Sequence, residues 1–164
     1  MNTRSKMVAG LVILLVTVAA ALLYAWKGNG PTDEAQIASA LRESTQASHD
    51  GRANGVLDLL SRRLQLNGSP VDSDTASLSR YIRNQKPTVV VADPHALVTG
   101  DEARIVSPIT ISVNVLGQSI ERKLNSVTLI FRRESFREWG IFPRSRWRLS
   151  EVQTSADLEQ GWSQ

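Results

Sequence analysis

The stretch 103-ARIVSPITISVNVLGQSIERKLNSVTLIF-131 decides how the chain is read, because for most of its length apolar and polar side chains alternate. Ile109, Ile111, Val113 and Val115 point one way and Thr110, Ser112 and Asn114 the other, the period-two pattern of a half-buried strand. Residues 103–106 and 109–116 predict two strands or one strand bent at Pro108. Leu116-Gly117-Gln118-Ser119 predicts a turn into Ile120–Leu124, after which Val127, Leu129 and Phe131 alternate through the next strand. Outward from this stretch, Thr88–Ala92 is short and β-branched, Asp93-Pro94 interrupts it, and Trp147 and Leu149 alternate in a last strand. No connection after Thr88 comfortably holds a helical crossover, so antiparallel pairing of four to five strands is expected.

Upstream the period is helical. With Asp33 or Thr32 as cap, Ile37, Ala38, Leu41 and Thr45 recur at three- and four-residue spacing until His49-Asp50-Gly51. A second short helix is expected from an Asn54 cap, with Val56, Leu57, Leu60 and Leu64 on one stripe. Asn67-Gly68-Ser69-Pro70 reads as a break. A third helix capped by Ser73 would bury Leu78, Tyr81 and Ile82 and stop before Pro87. Three helices followed by strands make an α+β domain with the helices packed on one face of a curved sheet.

Before this domain, residues 8–26 run for 19 positions without a charge. As a helix they would cover about 28 Å, close to the roughly 30 Å of a bilayer's hydrocarbon. Arg4 and Lys6 precede the run and only Lys27 follows closely, which orients the N-terminus to the cytoplasm. The alternative is a cleaved signal peptide, with a small-residue site in Ala19-Ala20-Ala21. Continuation of the run through Leu22, Leu23, Tyr24 and Trp26 suits a span ending in interfacial aromatics better. The expected organisation is a cytoplasmic N-terminus (1–7), a single membrane span (8–26), a linker (27–32), one domain (33–154) on the periplasmic or extracellular side, and a flexible tail (155–164).

The segments VVVADPHALVTGDEARIVSPITISV (89–113), KLNSVTLIFRRE (123–134) and SRWRLSEV (145–152) resemble the strand half of the NTF2-like, or SnoaL-like, superfamily of cystatin-like fold. There a Gly-Asp-x-Ala turn precedes a long strand and a Trp-Arg-hydrophobic strand closes the sheet; Gly100-Asp101-Glu102-Ala103 and Trp147-Arg148-Leu149 stand in those places. The resemblance spans about residues 33–153. It implies a cone-shaped α+β fold, frequent homodimers through the exposed sheet face, where Thr110, Ser112 and Asn114 would lie, and a cone that in isomerase and dehydratase members holds acidic, tyrosine or histidine chemistry. A single span joined to such a domain also resembles the architecture of secretion-system scaffold proteins.

Candidates for cone chemistry are few. Asp93 and His95, with Glu102 across a turn, make a base-orienter pair if the sheet brings them together, against the plainer reading of a turn with an exposed histidine. Tyr81 is a phenolic donor inside a cone, or a core residue between Leu78 and Ile82. With two histidines, no cysteine and no His-x-x-His or Glu-x-x-His spacing, no metal site is expected. Asp72-Ser73-Asp74 lacks the later ligands of a calcium loop. There is no P-loop, dinucleotide fingerprint or Gly-x-Ser-x-Gly elbow, and no cofactor is expected.

Charge points elsewhere. The chain carries a net +3, yet between Arg104 and Ser150 nine Arg and Lys face three acids. Arg132, Arg133, Arg137, Arg144 and Arg146 surround Trp139, Ile141 and Phe142, and Phe136 to Pro143 is expected to be longer than a tight hairpin, as a docking loop or as a cap on the cone. These eight residues are the expected interaction surface. A domain outside the cytoplasm has little access to nucleic acid, so an acidic envelope protein or anionic lipid headgroups are the expected partners. The resulting expectation is a membrane-anchored, non-catalytic interaction or assembly domain; the alternative is a small-molecule-binding or isomerase-like enzyme using the cone.

Overall fold

The computed structural model describes residues 31–71, 74–115, 118–138 and 142–155. The elements lie in the compact unit Asp33–Gln164. They run α1 (Asp33–His49), α2 (Ala53–Leu57), β1 (Leu60–Leu66), β2 (Ser69–Pro70), α3 (Thr75–Gln85), β3 (Thr88–Val91), β4 (Leu97–Thr99), β5 (Glu102–Val115), β6 (Gln118–Glu138) and β7 (Phe142–Thr154). The expected span at 8–26 lies outside the described residues. Among those described, no helix is long and apolar enough to cross a membrane.

The strands form one curved sheet in the order β2-β1-β7-β6-β5-β3, with β4 also on β5. β5 is a single strand through Pro108, which falls between the stretch paired to β4 (up to Arg104) and that paired to β3 (from Ile109), where its missing N–H costs no ladder bond. Its carbonyl accepts the Ala92 N–H at 3.1 Å and the Ser107 hydroxyl at 3.0 Å. Antiparallel pairing holds for β3 to β7, but β1 lies parallel to β7, with Leu60 opposite Leu149 and Leu66 opposite Val152.

That pairing overturns the second helix expected to bury Leu60 and Leu64. Only Ala53–Leu57 is helical, its N-cap is Arg52 rather than Asn54, and Leu60–Leu66 is a strand. A spacing of four fits one helical turn and two strand repeats alike. The Leu149 N–H, bonded to the Leu59 carbonyl at 2.8 Å, and the Arg148 guanidinium, bonded to the Leu60 carbonyl at 2.7 Å, decide for the strand. Asn67-Gly68 is not merely a break but a two-residue hairpin turn, with φ of 49° and 78°, pairing Leu66 with Ser69. The sheet therefore has seven strands and is mixed, not four to five and antiparallel.

On the helical side of the sheet, α1 buries Ile37, Leu41, Ser44, Ala47 and Ser48. Of these, Ile37 and Leu41 join Ala103, Ile105, Ile109, Leu124, Val127, Leu129, Phe131, Trp147 and Leu149 from the strands in one core. Ile37, Ile105 and Phe131 are fully buried. α1 stops at Gly51, whose φ of 74° suits glycine, and the Arg52 N–H returns to the Ala47 carbonyl at 2.7 Å. The cap of α3 is Asp74, whose carboxylate accepts the Ala76 N–H at 3.0 Å and the Ser77 hydroxyl at 2.6 Å. Ser73, the expected cap, lies outside the described residues.

Candidate functional site

The strand alternation sorts the polar side chains onto two faces. On the helical face Arg133 stands opposite Trp147, and both reach the first residue of α1. Arg133 Nη2 donates to Asp33 Oδ2 at 2.6 Å and Trp147 Nε1 donates to Asp33 Oδ1 at 3.1 Å. The Arg133 guanidinium lies 4.8 Å above the indole centroid, and its Nε is 3.3 Å from Asp101 Oδ1. One carboxylate thus ties the start of α1 to β6 and β7, and its charge also suits the positive end of the helix dipole.

The opposite, convex face is where the other arginines stand. Arg132 is opposite Arg148, Glu134 opposite Arg146, and Phe136 opposite Arg144. Arg132 pairs with Glu102 at 3.5 Å, and Glu102 also takes Arg104 at 2.8 Å. The Arg104 hydrogen bond, with the charges of Arg104 and Arg132, holds the Glu102 carboxyl below its ordinary pKa. Arg148 is more enclosed. Its Nε is 3.5 Å from Glu134 Oε2, whose other oxygen accepts the Ser61 hydroxyl at 2.5 Å. Burial, and then the Arg146 charge, pull the Arg148 pKa down against the opposing pull of Glu134 and Asp58. Arg146 lies 4.8 Å over the Phe136 ring. Val90, Leu97 and Val106 add exposed apolar area, at 53%, 66% and 60% exposure. Through their pairing with Thr110, Arg104 and Thr128 they share the convex face.

Of the eight residues expected as an interaction surface, Arg132, Arg144 and Arg146 share this face and Arg133 is on the other. Arg137 and Phe142 stand in the paired ends of β6 and β7, opposite Pro143 and Glu138. Trp139 and Ile141 lie outside the described residues. The pairing of Phe136 with Arg144 makes most of the expected loop a continuation of the hairpin. The sequence Trp139-Gly140-Ile141 carries no hairpin signal that would have marked the pairing of the flanking residues.

The three catalytic candidates are exposed. The Asp93 N–H donates to the buried Ser107 hydroxyl at 2.8 Å and Asp93 Oδ1 accepts the His95 N–H at 3.3 Å, the bonds of a turn rather than of a base and its orienter. Tyr81 is 40% exposed on α3 and is not a core residue. Among the described residues no group of three His, Asp or Glu is placed to hold a metal ion. One feature that sequence reasoning missed is a cleft of about 920 Å³ between α1, α2 and the edge of β7, whose walls include Ala40, Ala47, Leu59, Arg146 and Trp147. No local signal marks it, because it depends on where β1 stops pairing with β7.

Neither a family model nor a curated protein matches the sequence. Solved structures do resemble the fold. A conserved protein from Planctomyces limnophilus is 15% identical with a TM-score of 0.55, covering 74% of this chain and 94% of its own. An NTF2-like protein of unknown function in nutrient uptake from Rhodospirillum rubrum is 20% identical with a TM-score of 0.53, covering 74% and 98%. An NTF2-like protein with a cystatin-like fold from Novosphingobium aromaticivorans is 17% identical with a TM-score of 0.52, covering 84% and 86%. The fold is NTF2-like; at these identities the likeness carries the fold alone.

Proposed function

We propose that this chain is a membrane-anchored, non-catalytic interaction or assembly domain, held by residues 8–26 and facing the non-cytoplasmic side, with the NTF2-like cone as a scaffold. One observation carries the reading: Ile37, Leu41, Ile105, Val127, Leu129 and Phe131 pack the space between helix and sheet that an enzyme of this shape would keep for substrate. Asp93 and His95 are spent on a turn at its margin. The recognition chemistry sits outside, on a convex face where guanidinium groups alternate with carboxylates around exposed Val90, Leu97 and Val106. Arginine forks of this kind suit carboxylates or phosphates, which supports an acidic envelope protein or anionic headgroups as the contact.

Fractionation and turnover test the reading. The full chain is expected to stay in membranes through high-salt and alkaline washing, with its domain open to protease from the non-cytoplasmic side. A soluble mature chain beginning near Leu22 would overturn the anchor. A turnover that disappears on altering Asp93 or His95 would overturn the non-catalytic assignment in favour of an isomerase-like enzyme.

A further inference from the structure

β7 has a strand edge with no strand beside it among the described residues. β1 joins β7 only from Leu149 onward, leaving Phe142 to Arg148 uncovered on that side. One bond gives the direction of the backbone groups there. The Leu149 N–H donates toward β1, to the Leu59 carbonyl at 2.8 Å, so by the two-residue alternation Ser145 and Trp147 turn their N–H and C=O groups the same way. Pro143 is next in the same series, where the absence of an N–H removes no bond to β6.

This edge borders the cleft against α1 and α2. Ala40, Ala47, Leu59 and Trp147 give it an apolar lining, and Arg146 stands at its rim. Arg146 Nε is buried and has no hydrogen-bond acceptor among the described residues. An open edge, an adjoining cleft and an orphaned guanidinium N–H are three separate invitations to the same ligand.

We propose that this edge and cleft capture an extended segment of a partner protein by strand addition, with small apolar side chains turned into the cleft and a carboxylate turned to Arg146. Partner residues opposite Ser145 and Trp147 face the helices, as Trp147 does, while the residue between them faces Arg146. Arg42 and Arg52 also line the cleft, beside Asp58 and Glu43, which accepts the Ser39 hydroxyl at 3.1 Å. These charges nearly offset one another, so the apolar lining and the Arg146 N–H set the preference, an alternation of apolar and acidic residues. Pro143 limits the added strand to a few residues. The inference rests on the interaction-domain reading and names how its partner is held.

The test uses the full chain in detergent micelles and a blocked octapeptide alternating valine and glutamate. At saturation, hydrogen exchange at the Ser145 and Trp147 amides slows at least tenfold. A valine–lysine octapeptide binds at least tenfold more weakly, and Arg146→Gln removes most of that preference. Ser145→Pro abolishes binding while the fold is kept, since that N–H takes no part in the ladder with β6. Unchanged exchange at Ser145 and Trp147, wild-type binding by Ser145→Pro, or no binding of the valine–glutamate peptide overturns the proposal. Each of these failures leaves the anchored-domain reading standing, because that reading is judged by membrane fractionation and turnover.

Discussion

Asp33 does more for the fold than its position at the start of a helix requires. Its two oxygens satisfy the Arg133 guanidinium and the Trp147 indole at a half-buried junction, so removing it leaves two donors without their acceptor. Asp33→Ala is expected to lower unfolding stability by about 1–3 kcal/mol in chemical denaturation, with the helix content of the native state unchanged. Asp74 offers a pH-dependent counterpart. Its hydrogen bond from Ser77, followed by that from the Ala76 N–H, depresses its pKa, so the folded state favours the carboxylate. The resulting stabilisation is present in full above the ordinary carboxylate range and is lost as pH falls through the depressed value. Asp74→Asn keeps an acceptor but no charge; the stability gap between wild type and variant, measured by thermal melts across pH, should be open at neutral pH and close in acid.

At the scale of elements, the β1–β2 hairpin turns on two left-handed positions, Asn67 and Gly68. Gly68 has a φ of 78° with no atom within 4 Å of where a Cβ would sit, so Gly68→Ala meets strain without a clash. A loss of about 1 kcal/mol or somewhat more is expected in urea unfolding. Gly55 is the opposite case: a Cβ there would come within 2.6 Å of the Ala47 Cβ, so α2 packs this closely on α1 only because the position is glycine. The same approach shapes the wall of the cleft, since Ala47 and Gly55 both line it.

For the whole molecule, the resemblance implies pairing of two copies through the exposed sheet face, which here is the convex one. Thr110, Ser112 and Asn114 fall on it in register with Val90 and Val106, and three exposed apolar residues there are more than a solvated sheet needs. Sedimentation of the protein at tens of micromolar is expected to give a dimer, and Val106→Asp should shift it toward monomer with the circular dichroism unchanged. A wild-type chain that stays monomeric would remove this expectation.

Much of this molecule is legible in its sequence, and what is legible is local. The period of 3.6 in α1 and α3, and of two in β5 and β6, follows from which side chains one element must bury, and Gly100-Asp101 and Pro87 punctuate those elements by backbone sterics. The Asn-Gly pair at 67–68 was equally available as a hairpin signal. The assignment of Leu60–Leu66 was not local, because its leucine spacing satisfies helix and strand alike and only hydrogen bonds from Arg148 and Leu149, nearly ninety residues on, choose between them. Arg132 and Arg133 adjoin in sequence, yet the pleat sends one to the convex face and the other to Asp33. The cleft and the open edge of β7 exist because a parallel partner stops at Leu149. Periodicity records what an element buries; the partner it pairs with, and where that pairing ends, are decided by contacts between distant parts of the chain.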